Sequence, residues 1–306
     1  MTTMKHNDCL MDLQQLRYVV ALAETRNFTR AAERCRVVQS SLSHRIAGLE
    51  RELGVTLFAR SSRRTELTGA GAAFLVGARE CLAAADRAVA DAAAAGGSVR
   101  GRLAVGMIRT TAAVDVPELL QRYRARYPEV RVSLEAGSSD ELAAAVRKGE
   151  LDIVFLGLPE GEQPAGVESL VLDRDAHVLV VPAGHRLAGA SRVTLHEVAD
   201  ETFVDFRDGS PGRAQTDQAF AAAGLARDIA YEAGVAELIT QLIARGLGIA
   251  LLPSAFVRPL VADDPQLALV PVVEGPRRVE YLAWSRFNPS PATRALLDVL
   301  GAGPRS

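Results

Sequence analysis

Gln39, Ser40, Ser43 and His44 follow one another at intervals of one, three and one residues, which gathers four hydrogen-bonding side chains at the start of a helix. Such groups read base edges, and from the first turns of a helix they reach the major groove of a duplex before the rest of the element does. Gln39 suits adenine N6 and N7, whereas Ser40, Ser43 and His44 carry a weaker base code. Ser40 serves equally as a helix cap, and Gln39 as a phosphate contact. Arg45 fits either a phosphate or an acid of its own domain such as Glu50. Thr29 and Arg30, at the start of the preceding helix, join the set as nucleic-acid contacts. Arg60, Arg63 and Arg64 form a basic tip that would meet phosphate or a narrow A·T minor groove; a solvated charge cluster is the plainer alternative.

A second group of residues points to small-molecule binding. Arg109, Thr110 and Thr111 fall in a turn after a strand-like stretch, and Gly137, Ser138 and Ser139 in a turn before a helix. The segment from Phe206 through Arg207 and Ser210 to Arg213 again runs from a strand into a helix start. Hydroxyls and free backbone N–H groups at such places hold carboxylates or phosphates, and with the arginines they favour a small organic anion. Capping without a ligand explains each hydroxyl as well, and Arg207 is able to pair with Asp208. Enzyme signatures are missing. Gly209, Ser210, Pro211 and Gly212 have the wrong spacing for a G-x-S-x-G elbow, no H-E-x-x-H helix follows His196 and Glu197, and no phosphate-binding G-x-x-x-x-G-K loop occurs. The three cysteines have no metal-ligand spacing, so neither a metal nor a cofactor is expected.

These residues need elements to hold them. Leu13, Leu16, Val20 and Ala23 predict a helix over 13–25, Asn27 caps a second through Arg34, and Leu42, Ile46, Leu49 and Leu53 form the stripe of a third that ends at Gly54. Three short helices with a tight turn between the last two make a helix-turn-helix. Stretches 55–58 and 65–67 read as strands around the arginine tip, a wing. Thr68 caps a long alanine-rich helix to about Ala95, on which Leu75, Ala78, Leu82, Ala85, Val89 and Ala92 step by three and four along a narrow apolar seam. At 1.5 Å per residue it spans roughly 40 Å. A second subunit is the economical partner for it, with Leu75, Leu82 and Val89 as dimerisation contacts; low-complexity alanine richness without a partner is the alternative. Beyond Gly96 and Gly97, strands at 103–108, 130–135, 153–158, 178–182, 202–206, 249–252, 267–273 and 281–285 interleave with helices at 117–126, 139–148, 215–223, 237–245 and 292–300. That alternation predicts a parallel sheet covered by helices.

Composition agrees. At 306 residues the chain suits roughly two domains, and 48% hydrophobic with 24% charged residues excludes disordered and collagen-like classes. The net charge of -2 conceals a split: residues 1–68 hold eleven Lys and Arg against seven Asp and Glu, while the remainder is acidic. A basic N-terminal fifth on an acidic protein marks a nucleic-acid-facing module. Cys9, Cys35 and Cys81 make no disulfide framework, which fits a reducing compartment. The polar start and the lack of an 18-residue apolar run predict neither signal peptide nor membrane span, hence a cytoplasmic protein without membrane contact.

Leu13, Leu16, Arg17 and Tyr18, the runs NFTRAAE at 27–33, VQSSLS at 38–43 and LTGAG at 67–71, with Ile46, Leu49, Glu50, Leu53, Gly54, Leu57, Phe58 and Arg60, resemble the winged helix-turn-helix of LysR-type transcriptional regulators. More weakly, GELDI at 149–153, GHRLA at 184–188 and GLGIALLP at 246–253 resemble that family's effector domain. The resemblance implies an α/β protein in three parts. These are an all-α winged helix-turn-helix DNA-binding domain at 1–68, a linker and dimerisation helix at 69–96, and a periplasmic-binding-protein-like effector domain at 97–306. In the last, subdomain I (97–162 and 268–306) and subdomain II (163–267) would be joined by crossing strands and hold a small molecule between them. Gly234 lies where family members approach the ligand by backbone.

Two departures matter. Cys35 stands where the family commonly has leucine, which leaves core packing or redox sensing, and His44 stands where many members carry arginine, which puts the base preference at that position in doubt. Peroxide sensors resembling this family use a cysteine pair inside the effector domain, yet no cysteine follows Cys81. The expected function is sequence-specific binding of double-stranded DNA as a dimer or tetramer, with RNA polymerase as a further partner. A small, anionic effector would close the subdomains and so change the angle of the DNA-binding domains. A DNA-binding autorepressor or architectural protein with no working effector pocket is the alternative.

Overall fold

Asp12 opens the first helix, α1 (Leu13–Thr25), by accepting the Gln15 N–H while the Gln15 side chain returns to the Asp12 N–H. Asn27 caps α2 (Phe28–Arg34) by accepting the Arg30 N–H at 3.0 Å. Gly54, left-handed at φ 69°, closes α3 (Gln39–Leu53). The apolar stripes of the three meet in a core that includes Leu22, Ala31, Leu42, Ile46, Leu49 and Leu57. An antiparallel ribbon of β1 (Phe58–Arg60) and β2 (Thr65–Leu67) makes the wing. Glu50 ties the wing to α3, because its carboxylate accepts the N–H groups of Leu57 and Phe58 at 2.8 and 3.1 Å.

Thr68 caps α4 (Gly69–Ala95), accepting the Gly71 N–H at 2.9 Å and donating its hydroxyl to the Thr56 carbonyl at 2.6 Å. A Cβ on Gly71 would overlap the Leu57 carbonyl oxygen, so only glycine lets the helix start this hard against the wing. The apolar seam of α4 does not stay free along its whole length. Leu75, expected as a dimerisation contact, is half-buried and packs with Phe74 against the core of its own unit, and Ala78 is buried. Leu82 is half-buried, while Val89 is 69% exposed.

The computed structural model describes residues 11–60, 65–262, 264–287 and 289–301, and the chain divides into two units, the second beginning at Val99. That second unit starts with β3 (Gly101–Met107), α5 (Val116–Arg126), β4 (Val130–Ala136), α6 (Ser139–Arg147) and β5 (Ile153–Pro159), with β3 parallel to both β4 and β5. There follow β6 (Glu168–Pro182), β7 (Val193–Thr194), α7 (Leu195–Val198), β8 (Thr202–Phe206), α8 (Pro211–Ala222), β9 (Asp228–Ala233), α9 (Ala236–Ala244), β10 (Ala250–Pro253), α10 (Ser254–Ala262), β11 (Leu267–Val273), β12 (Arg277–Trp284) and α11 (Pro291–Leu300).

One strand belongs to both halves of this unit. From Glu168 to Ala176, β6 runs antiparallel to β12 in the sheet ordered β4-β3-β5-β12-β6; from His177 onward it pairs with β10 and β11 instead. β8 and β9 pair in parallel and join the second half through a bridge between Phe203 and Ile249. Each half has its own core, one around Leu103, Tyr123, Phe155 and Leu282 and the other around Val180, Ile239, Leu251 and Val270. The expected division at 163 and 268 therefore moves. Residues 168–176 pair with β12 in the first half, and β11 packs in the second core through Leu267 and Val270, because β6 changes partners after Ala176. Among the described residues no helix is long and apolar enough to cross a membrane, and no cluster of His, Cys, Asp or Glu could hold a metal.

Candidate functional site

The first turns of α3 leave their polar side chains in solvent. Gln39, Ser40 and His44 are exposed and Ser43 is half-buried, while Leu42, Ile46 and Leu49 on the opposite face fill the core. Ser40 is not the cap: that position falls to Val38, 69% exposed and with no side-chain bond to the helix. The start of α3 thus presents donors and acceptors that the fold itself does not use. Thr29 and Arg30 are exposed at the start of α2, with the Arg30 guanidinium donating to the Thr25 carbonyl at 2.9 Å. Arg45 pairs with Asp12 at 3.3 Å rather than with Glu50, which is committed to the wing backbone. Arg60 contributes backbone to β1; its side chain and the whole of Arg63 and Arg64 lie outside the described residues. Cys35 is half-buried against the helical core, and burial pushes its thiol pKa up, which leaves it a poor nucleophile.

In the second unit a cleft of about 290 Å³ opens between the two halves. Arg109 and Thr110 enter it from the turn after β3, Ser138 and Glu141 from the start of α6, Phe206, Ser210 and Gln215 from the β8–α8 junction, and Gly234 from the turn after β9. Four of these hydroxyl and cation positions were expected from sequence as ligand contacts: Arg109, Thr110, Ser138 and Ser210. Thr111 faces elsewhere, its hydroxyl donating to the Ile108 carbonyl at 2.9 Å. Arg207 is exposed and does not line the cleft, although its guanidinium lies beside Gly234. Arg213 is engaged by Asp217 at 3.0 Å and Glu232 at 3.1 Å.

Sequence reading missed two further residues that line the cleft, Arg278 and His177. Arg278 extends from β12, and only 2% of its side chain is exposed. It donates to the Thr110 hydroxyl at 2.8 Å, to the Thr110 carbonyl at 2.9 Å and to Glu280 at 2.5 Å, with Asp175 at 3.6 Å. Its buried Nε has no partner among the described residues. Burial pulls the guanidinium below the ordinary arginine range, against the opposing pull of Glu280 and Asp175. The two carboxylates are held in turn by backbone: Glu280 accepts the N–H groups of Ala112 and Ala113, and Asp175 that of Ala255. His177 on β6 donates Nδ1–H to the Pro276 carbonyl at 3.2 Å, and burial together with Arg278 pushes its pKa down to about 3. The ring is therefore neutral, with Nε2 as an acceptor.

The remaining walls are rigid. Ser139 is buried and exchanges hydrogen bonds with Gly157 across 2.9 and 3.1 Å, pinning α6 to β5. Arg227, with 2% of its side chain exposed, grips Asp205 at 2.6 Å and Asp217 at 2.5 Å and stacks over Phe203 and Phe220, which fixes α8 against β8. Ser138 caps α6 in a reciprocal box with Glu141: the Ser138 hydroxyl and N–H donate to the Glu141 carboxylate at 2.7 and 3.0 Å. The signal for Arg278 was present only as an arginine and a glutamate two residues apart in an apolar strand, facing the same side of a sheet.

Comparison with known proteins extends the picture to the whole chain. Residues 13–72 match the model of the bacterial regulatory helix-turn-helix protein, lysR family, and residues 96–304 that of the LysR substrate binding domain. An uncharacterized HTH-type transcriptional regulator of Escherichia coli K12, YnfL, is 33% identical over 296 residues, spanning 93% of this chain and 96% of that protein. Among solved structures, a full-length OxyR variant from Pseudomonas aeruginosa is similar at a TM-score of 0.76 with 28% identity, covering 96% of each chain. Full-length CbnR complexed with its target DNA is similar at 0.64 with 25% identity, covering 95% of this chain and 99% of that one. The exposed polar face of α3, the wing beside it and the two-part cleft domain thus belong to one architecture, and the chain is a member of the LysR family of transcriptional regulators.

Proposed function

We propose that this regulator binds DNA through the first turns of α3 and the wing, self-associates as a dimer or tetramer, and is controlled by a small organic molecule with an acidic group held in the cleft of its second unit. The observation that carries the effector reading is Arg278. Its guanidinium, held by Thr110 and Glu280, lines a cleft built from both halves of the unit. A ligand that touches both halves favours the closed arrangement by its differential affinity. Val89, exposed on α4, supports association through that helix. Cysteine chemistry is disfavoured in the cleft: Cys35 is half-buried with a raised pKa, Cys81 stands exposed on α4, and no cysteine lies in the second unit.

The test uses full-length protein and duplexes that it selects from a random pool. A panel of small carboxylic acids, amino acids and neutral amides is screened for a rise in melting temperature, and the hits for a change in DNA affinity. At least one acidic compound is expected to do both. If no compound alters either melting or DNA binding, the cleft is not an effector site and the protein regulates by DNA binding alone.

A further inference from the structure

We infer that Val38 reads the C5-methyl group of a thymine and so sets the base preference of α3 together with Gln39. This rests on the reading of α3 as the DNA-binding helix and deepens it. α1, α2 and α4 each begin with a side chain that accepts a backbone N–H, from Asp12, Asn27 and Thr68 respectively. α3 begins instead with Val38, which makes no such bond, and valine is among the poorest residues at that position. Nor does the core use the side chain, which is 69% exposed. Its backbone is nonetheless held on both sides. The Val37 N–H donates to the Ala32 carbonyl at 3.0 Å with Val37 packed against the core, and the Val38 carbonyl accepts from Ser41 and Leu42 at 3.1 and 3.3 Å. Val38 itself is extended, at φ -74° and ψ 143°, so its side chain leaves on the face opposite to Val37.

The result is a stiff, β-branched apolar group fixed beside the exposed side chains of Gln39 and Ser40. It cannot bond a phosphate, and the major-groove edges of the bases offer it one apolar counterpart, the methyl of thymine. Packing that methyl against valine removes both from water, a gain of about fourfold in affinity per methyl. Gln39 suits adenine, whose partner in the pair is thymine, so the two neighbouring side chains select one A·T pair or two adjacent ones. A serine at this position would cap the helix and lose the contact. Stability and base preference are thus set against each other at a single residue, which a purely structural valine would not do.

The experiment takes the full-length protein and the duplex it selects from a random pool, and replaces each thymine in turn by uracil, which removes the methyl and leaves every hydrogen-bonding group in place. One thymine, within one base pair of the position relaxed by Gln39→Ala, is expected to cost about three- to tenfold in affinity when replaced. In Val38→Ser and in Val38→Ala that position is expected to become indifferent to uracil, while sensitivity elsewhere in the duplex is kept. A parent protein with no uracil-sensitive thymine at that place, or variants that keep the parent's sensitivity there, overturns the inference and leaves α3 as the reading helix. If Gln39→Ala and both Val38 variants select the same sequence as the parent, the reading of α3 falls with it.

Discussion

The two surfaces proposed to meet partners are built on opposite plans. On the proposed DNA-facing side, Thr29, Arg30, Gln39, Ser40 and His44 come from one short stretch of chain and stand in solvent, while Ala31, Ala32 and Leu42 between them carry the fold. In the cleft, the single bond between Arg278 and the Thr110 hydroxyl joins residues 168 apart in sequence, and the charges are buried and mutually dependent. The difference teaches that recognition of a large polyanion needs only an exposed polar face on a stable helix, whereas discrimination of a small molecule needs groups whose positions the fold itself enforces. Mutations should therefore separate activity from stability on the first surface and couple them on the second.

The largest effect is expected at the cleft. Arg278→Leu strands the carboxylates of Asp175 and Glu280 in the interior and should destabilise the protein by about 3–5 kcal/mol, whereas Gln39→Ala on α3 should stay within about 0.5 kcal/mol. Urea denaturation of the two variants checks the pair, and equal losses would erase the contrast. Next comes pH. With a folded pKa of about 3 against an ordinary 6.5, His177 is neutral in the fold while the unfolded chain takes up a proton below pH 6.5. Its contribution is fully present above that pH and falls as the solution is acidified, by about 1.4 kcal/mol per pH unit. His177→Gln should flatten the stability profile between pH 6.5 and 5, and a variant as acid-sensitive as the parent would exclude this residue as the cause. The smallest effect is a gain. Val38→Ser supplies the missing cap of α3 and should stabilise the protein by about 1 kcal/mol, measured by the same denaturation. A loss there would show that the exposed valine packs against something in the free protein.

Legibility in the sequence follows the same division. The helices of the first unit were readable because caps and stripes are local: Asn27, Gly54 and Thr68 stand where they were expected. The second unit was readable where apolar runs are dense, as in β8 and β11, and unreadable where tertiary context overrides pattern. The first half of β6 carries Asp173, Arg174 and Asp175 and does not look like a strand. β9 is short and acidic, and α10 keeps its helix in spite of Pro259. In the cleft, Thr110 and Ser138 announced themselves as hydroxyls after strands, but Ser138 proved to be bonded to Glu141. Arg278 gave only the faint local sign of Glu280 two residues on and His177 none, since their partners are supplied by the turn after β3 and by the crossover of β6 and β12.

The missing Cβ of Gly71 has a mechanical meaning. With the Leu57 carbonyl pressed into the first turn of α4 and Thr68 bonded both to that turn and to Thr56, the long helix and the wing are keyed together without play. A rotation of the 27-residue helix would therefore carry the wing with it, the helix acting as a shaft and its first glycine-rich turn as the spline.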